Sequence, residues 1–235
     1  MNAVVVIETN GQPSFVGPSP PQITLAYREG AWKPRAEHGL DPEGLRKRPD
    51  LCGPTIEAFN SSFLLVYGTS GSSADTQINF QQARWAQVWW QIWANGHCQI
   101  KADNALIEED LAAYNLILYG NAGSNQVVAR INDELPIRFE NGAVVAGKER
   151  FEGEDVALQM IYPNPMNPDR FAVVNGGITS RGTAIIHQTS LDVASEHFPS
   201  ATDYDYALFD LTFIGKTEGR YLKAGFFDGQ WQLQE

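Results

Sequence analysis

Three short apolar runs, SFLLVYG, CQIKAD and NLILYG, recur between residues 62 and 120 with helix-patterned segments between them. Consecutive strands joined by helices pair in parallel through crossovers, and the crossover helices cover the sheet. The predicted fold class is therefore α/β, a three-layer arrangement with helices on both faces of the sheet. Strand direction is mixed, because the later runs LPIRFE, GAVVAG, VALQMIYP, FAVVNGG, YALFDLTF and AGFFDGQW are too closely spaced for helical returns and imply an antiparallel addition. The first helix spans about residues 74–94. Ser72 and Asp75 have capping-box spacing at its start and Asn95-Gly96 stops it. Ile78, Trp85, Val88, Trp89 and Ile92 recur at helical spacing and are predicted to face the sheet. IEEDLAAY gives a second helix and NQVVARINDEL a third, with Val127, Val128, Ile131 and Leu135 inward.

The first fifty residues follow another rhythm. VVVIE, QPSFVGPSPPQ and ITLAYREGAWKP are β-type runs broken by proline and glycine, the pattern of small antiparallel strands. Residues 1–44 are read as a β-rich N-terminal segment and residues 45–235 as the α/β domain. The opening MNAVVVIETNG has only a five-residue apolar run and no basic stretch before it, so it reads as a strand and not as a signal peptide. No run approaches the roughly 20 apolar residues of a membrane-spanning helix. A net charge of −11 opposes phosphate backbones, which argues against a nucleic-acid partner. Cys52 and Cys98 fit either one disulfide or two buried thiols.

Candidate chemistry concentrates where strands end. The loops Gly68–Asp75, Asn121–Asn125 and Asn164–Asn167 are expected to converge on one rim, as loops at the carboxyl ends of parallel strands do. Ser70, Ser72, Asn121, Ser124, Asn125, Asn164 and Asn167 are thus candidate binding residues. GTSGSSADT lacks the lysine of a P-loop and the third glycine of a dinucleotide fingerprint, so no cofactor is implied. No window reads G-x-S-x-G, and no catalytic residue is assigned. The enzymatic rival is a serine hydrolase using Ser70 or Ser124 with His187 or His197 and the acidic run Asp203, Asp205 and Asp210. Asp203 and Asp205 also read as a solvated loop, and Glu108 with Glu109 as a helix-start pair. His97-Cys98 has no partners at metal-ligand spacing. RWAQVWWQIW holds four tryptophans. Trp90 and Trp93 fall off its main apolar face, which makes them candidates for docking a protein, a sugar or a cell wall. The prolines of IYPNPMNPDRFAVVNGG hold the third loop rigid, either as a site or as a corner.

Four segments in order carry a resemblance: LRKRPDLCGPTIEAFNSSFLLVYGTSG, DLAAYNLILYGNAGSNQVVARINDELPIRF, IYPNPMNPDRFAVVNGG, and the closing DYALFDLTF with AGFFDGQW. Together they resemble the C-terminal module that follows the catalytic domain in secreted bacterial α/β-hydrolase proteins of the prolyl-oligopeptidase and esterase type. The resemblance implies a noncatalytic accessory module, secreted or periplasmic, whose partner is a hydrolase domain or another protein. In such proteins the nucleophile, acid and histidine belong to the hydrolase domain, so no catalytic role transfers to this chain.

Overall fold

The computed structural model describes residues 4–18, 25–28, 30–34, 45–187, 203–213 and 221–234. The chain divides into two compact units, Met1–Gly44 and Leu45–Glu235. In the first, β1 (Val4–Thr9) and β2 (Gln12–Pro18) form an antiparallel hairpin, and β3 (Leu25–Arg28) pairs with β4 (Ala31–Pro34) in another. The first hairpin turns at Asn10-Gly11, both at positive φ, the conformation a tight hairpin demands and this dipeptide tolerates.

The second unit begins with β5 (Phe63–Tyr67), α1 (Ser73–Ala94), β6 (Gln99–Ala102), α2 (Glu108–Ala113), β7 (Asn115–Tyr119) and α3 (Gln126–Ile131). β8 (Ile137–Glu140), β9 (Ala143–Ala146) and β10 (Glu149–Glu152) then make a separate three-stranded antiparallel sheet. β11 (Ala157–Asn164), β12 (Asn167–Gly177), α4 (Ser180–Ala184), β13 (Tyr206–Phe209) and β14 (Lys223–Gly225) complete it.

The main sheet is seven-stranded and mixed, in the order β14-β13-β11-β12-β7-β5-β6. β6, β5, β7 and β12 run parallel, while β11, β13 and β14 add antiparallel neighbours. This is the α/β architecture that the alternation of runs demands. From β5 the chain steps outward to β6 and then back across to β7, and right-handed crossovers in opposite directions put α1 and α2 on opposite faces of the sheet. β7 is buried along its whole length, as a parallel strand covered on both faces must be.

The face of α1 that meets the sheet is not the one its large apolar residues mark. Asn79, Ala83 and Ala86 are its buried residues, whereas Val88 is 43% and Ile92 69% exposed. Small side chains let the helix approach the strands closely, and the indoles are displaced to its flanks. Trp90 packs with Phe59 and Phe63, ring centroids 6.0 and 4.9 Å away, and Trp85 stacks on His187 at 5.0 Å.

Two further expectations change. Asp203 is exposed, but Asp205 is fully buried, with Lys47 Nζ 2.5 Å from Oδ2 and the Phe227 N–H donating to the same oxygen at 2.9 Å. It is a clasp between the start and the end of the unit, not a solvated acid. Cys52 and Cys98 are free thiols but not the buried pair of the second reading, since Cys52 is exposed and Cys98 half-buried.

Candidate functional site

The carboxyl ends of β5, β6, β7 and β12 lie at one edge of the sheet, and the strand order reverses between β5 and β7. Open α/β sheets bind ligands at such a reversal, in the crevice between the two loops. The β5 loop is GTSGS, residues 68–72, and the β7 loop is GNAGSN, residues 120–125. Ser70, Ser72, Asn121, Ser124 and Asn125 are therefore brought to a common edge.

Asn164 and Asn167 are not. They sit at the turn between β11 and β12, at the amino end of β12 and hence at the opposite edge, so the three loops do not share a rim. Asn164 is fully buried and its Oδ1 accepts from the Met166 N–H at 3.0 Å. Asn167 Nδ2 donates to Leu111 O at 2.8 Å and Arg170 Nε to Ala112 O at 3.2 Å. These side chains satisfy carbonyls left over at the end of α2, so the rigid turn is a helix-capping corner.

The crevice between the β5 and β7 loops is filled by the chain itself. Ser70 N–H donates to Ser124 O at 3.2 Å and Gly68 N–H to Tyr119 O at 3.0 Å. A Cβ on Gly68 would lie 2.1 Å from Ser124 O, and one on Gly120, whose φ is +114°, would lie 2.7 Å from Ser124 Oγ. Only glycine permits this closure. The amides that would otherwise attract an anion are also engaged. Asn121 N–H donates to Ser124 Oγ, Gly123 N–H to Asn121 Oδ1, and both Val127 and Val128 N–H to Asn125 Oδ1. Asn125 is thus the cap of α3, while its Nδ2 returns to Tyr119 O. Asn121 Nδ2 reaches Gly177 O and Ile178 O and fastens the loop to the end of β12. Ser72 and Asp75 form the expected reciprocal cap of α1.

One residue organises this edge that the sequence reading did not single out. Asp103, 5% exposed, follows β6; its Oδ1 accepts from Thr69 N–H, Thr69 Oγ1–H and Asn104 N–H, and its Oδ2 accepts from Gln126 N–H at 2.7 Å. A single carboxylate ties together the loops after β5, β6 and β7. The available signal was its position, an acid immediately after a parallel strand and next to two loops rich in unpaired N–H groups.

Among the described residues the hydrolase constellation does not assemble. Ser124 is buried and its Oγ holds the Asn121 N–H; Ser70 is exposed. His187 Nε2 lies 3.2 Å from Tyr119 Oη, and burial pushes its pKa down to about 3. Burial likewise pushes the Tyr119 phenol up. A neutral imidazole with so low a basicity is poorly matched to accepting a serine proton near neutral pH. His197 lies outside the described residues. Burial raises the Cys98 thiol to about 11, and burial followed by Glu57 raises Cys52, so neither is an activated nucleophile. Among the described residues no group of His, Cys, Asp or Glu is arranged to hold a metal. No described helix is long and apolar enough to cross a membrane.

Of the two candidate tryptophans, Trp90 is half-buried in its aromatic cluster, and Trp93 is 53% exposed with its ring 5.9 Å from that of Trp90. A shallow groove of about 390 Å³ lies elsewhere on α1, between Tyr67 at the end of β5 and Ser73, Thr76, Gln77 and Phe80. No family model, characterised protein or solved structure matches the chain.

Proposed function

We propose that the Leu45–Glu235 unit is a noncatalytic interaction module, of the kind that accompanies the catalytic domain in α/β-hydrolase-type peptidases and esterases. The observation that carries this reading is the occupied crevice: Ser124 and Asn125 fill the position where a doubly wound sheet takes its ligand, and their polar atoms hold the chain's own amides. An acyl-transfer site needs a serine within reach of a base and free donors for the oxyanion. The ordered segments quoted above add the likeness to hydrolase-associated modules, and with it a secreted or periplasmic location. The experiment is treatment of the purified chain with a fluorophosphonate probe. No labelling is expected, and stoichiometric modification of Ser70 or Ser124 overturns the reading.

A second reading, binding of a neutral sugar or cell-wall polymer, draws on the groove beside Tyr67 and Phe80. Its walls are two aromatic rings in edge-to-face contact at 5.0 Å, and its remaining lining is hydroxyl and amide, with no charge. Retention on insoluble polysaccharide that is lost in Phe80→Ala and kept in Trp90→Ala supports it; absence of retention removes it.

A further inference from the structure

Helix α1 turns outward a seam that its contact with the sheet does not use. Ile78, Gln81, Trp85, Val88 and Ile92 follow one another at spacings of three, four, three and four residues, the pattern by which one helix packs along another. His187 covers Trp85, but Gln81, Val88 and Ile92 face solvent. Asp75 and Arg84 are the only charged residues of α1, so from Thr76 to Ala94 the helix carries one cation and no carboxylate. On a chain of net charge −11 this is an unusual stretch of surface.

We propose that this seam is the contact between two copies of the chain, with α1 packed antiparallel against its counterpart about a twofold axis near Val88. Copies of so acidic a molecule repel one another, and a face without carboxylates is where that repulsion is least. An isologous contact also requires a self-complementary patch. Centred on Val88, the antiparallel crossing sets Ile92 of each copy level with Arg84 and the half-buried Trp85 of the other and leaves the two Arg84 roughly 12 Å apart along the helices. With the axis at Val88 the two helices overlap over residues 82–94, about 20 Å, a contact that buries on the order of 600 Å² in all, below the usual size of specific interfaces and typical of weak association. The dimer is therefore a weak one, populated in the micromolar range and above.

Naming a second copy as the partner extends the interaction-module reading, and its test is separate. Sedimentation velocity of the full chain, from low micromolar to near-millimolar concentration, is expected to show a monomer–dimer equilibrium that strengthens with added salt as the repulsion is screened. The double variant Val88→Glu/Ile92→Glu, whose sites are exposed enough to leave folding intact, weakens association by roughly a hundredfold or more. Ala129→Glu, on the exposed side of α3, leaves it unchanged, and melting curves confirm that both variants are folded. A chain that stays monomeric at every concentration and salt level overturns the dimer, as does a dimer indifferent to the double variant. Either result leaves the module reading standing, whereas serine labelling removes that reading and not the dimer.

Discussion

Asp103 shows how much one side chain decides at this edge. A buried carboxylate is costly unless its lone pairs are filled, and here four donors from three segments fill them. Asp103→Ala leaves those donors without a partner and is expected to lower unfolding free energy by about 3 kcal/mol or more. Asp103→Asn keeps an acceptor toward Thr69 and Asn104 but turns an NH₂ toward the Gln126 N–H, so its loss should be smaller, roughly 1–3 kcal/mol. Urea titration of both variants ranks them, and equal losses would contradict the assignment of donors. His187 makes a second residue-scale prediction. It titrates near 6.5 when unfolded and near 3 in the fold, so between those values the unfolded chain holds the extra proton. Stability is therefore fully present above pH 6.5 and is lost as the pH falls toward 3, with a slope approaching 1.4 kcal/mol per pH unit. His187→Phe keeps the stacking on Trp85 and removes the titration. It is expected to be less stable than the parent at pH 7.5, through loss of the Tyr119 contact, and to lose less on acidification to pH 4.5. Parallel stability curves for the two proteins would exclude this account.

At the scale of elements, α1 separates what a sequence displays from what a fold uses. Apolar periodicity marked Ile78, Trp85, Val88, Trp89 and Ile92, and the caps at Ser72 and Asn95 placed the ends of the helix where they are found. The direction of the helix was not legible, because closeness to a sheet selects small residues, and Asn79, Ala83 and Ala86 look unremarkable in a hydrophobic pattern. Asn79 even reads as surface, yet its Nδ2 donates to Gly68 O in the interior. The expected outcome is an inversion of the usual ranking. Ala83→Leu, which inserts bulk into a fully buried contact, should cost about 1–3 kcal/mol or more. Ile92→Ser, measured at low protein concentration, should fall within about 0.5 kcal/mol of the parent. Thermal melts of the two variants decide it, and a larger loss at Ile92 than at Ala83 would place the helix the other way round.

Across the whole molecule, local alternation was enough to give the α/β class, the order of its central elements and the capped loops, since each is encoded within about twenty residues. What stayed hidden depends on pairs far apart in the chain, and the clasp between Lys47 and Asp205 is the clearest of them. Lys47 sits in the charged run LRKRPD and Asp205 in a run that reads as a solvated loop, and nothing local links the two. In the fold Lys47 Nζ lies 2.5 Å from the buried carboxylate and 4.9 Å from the centre of the buried Trp231 ring. The Phe227 N–H shares the same oxygen, so the segment entering the unit, β13 and the closing turn meet at one charge. Lys47→Met keeps the aliphatic packing on Trp231 but strands a carboxylate in the core, which should cost about 3–5 kcal/mol. Lys47→Met/Asp205→Asn removes that charge and retains an acceptor for the Phe227 N–H, so much of the loss should return. A double-mutant cycle by chemical denaturation measures the coupling. Recovery in the double variant assigns the loss to an unpaired buried charge, while losses that simply add would mean that the two residues stabilise the unit independently.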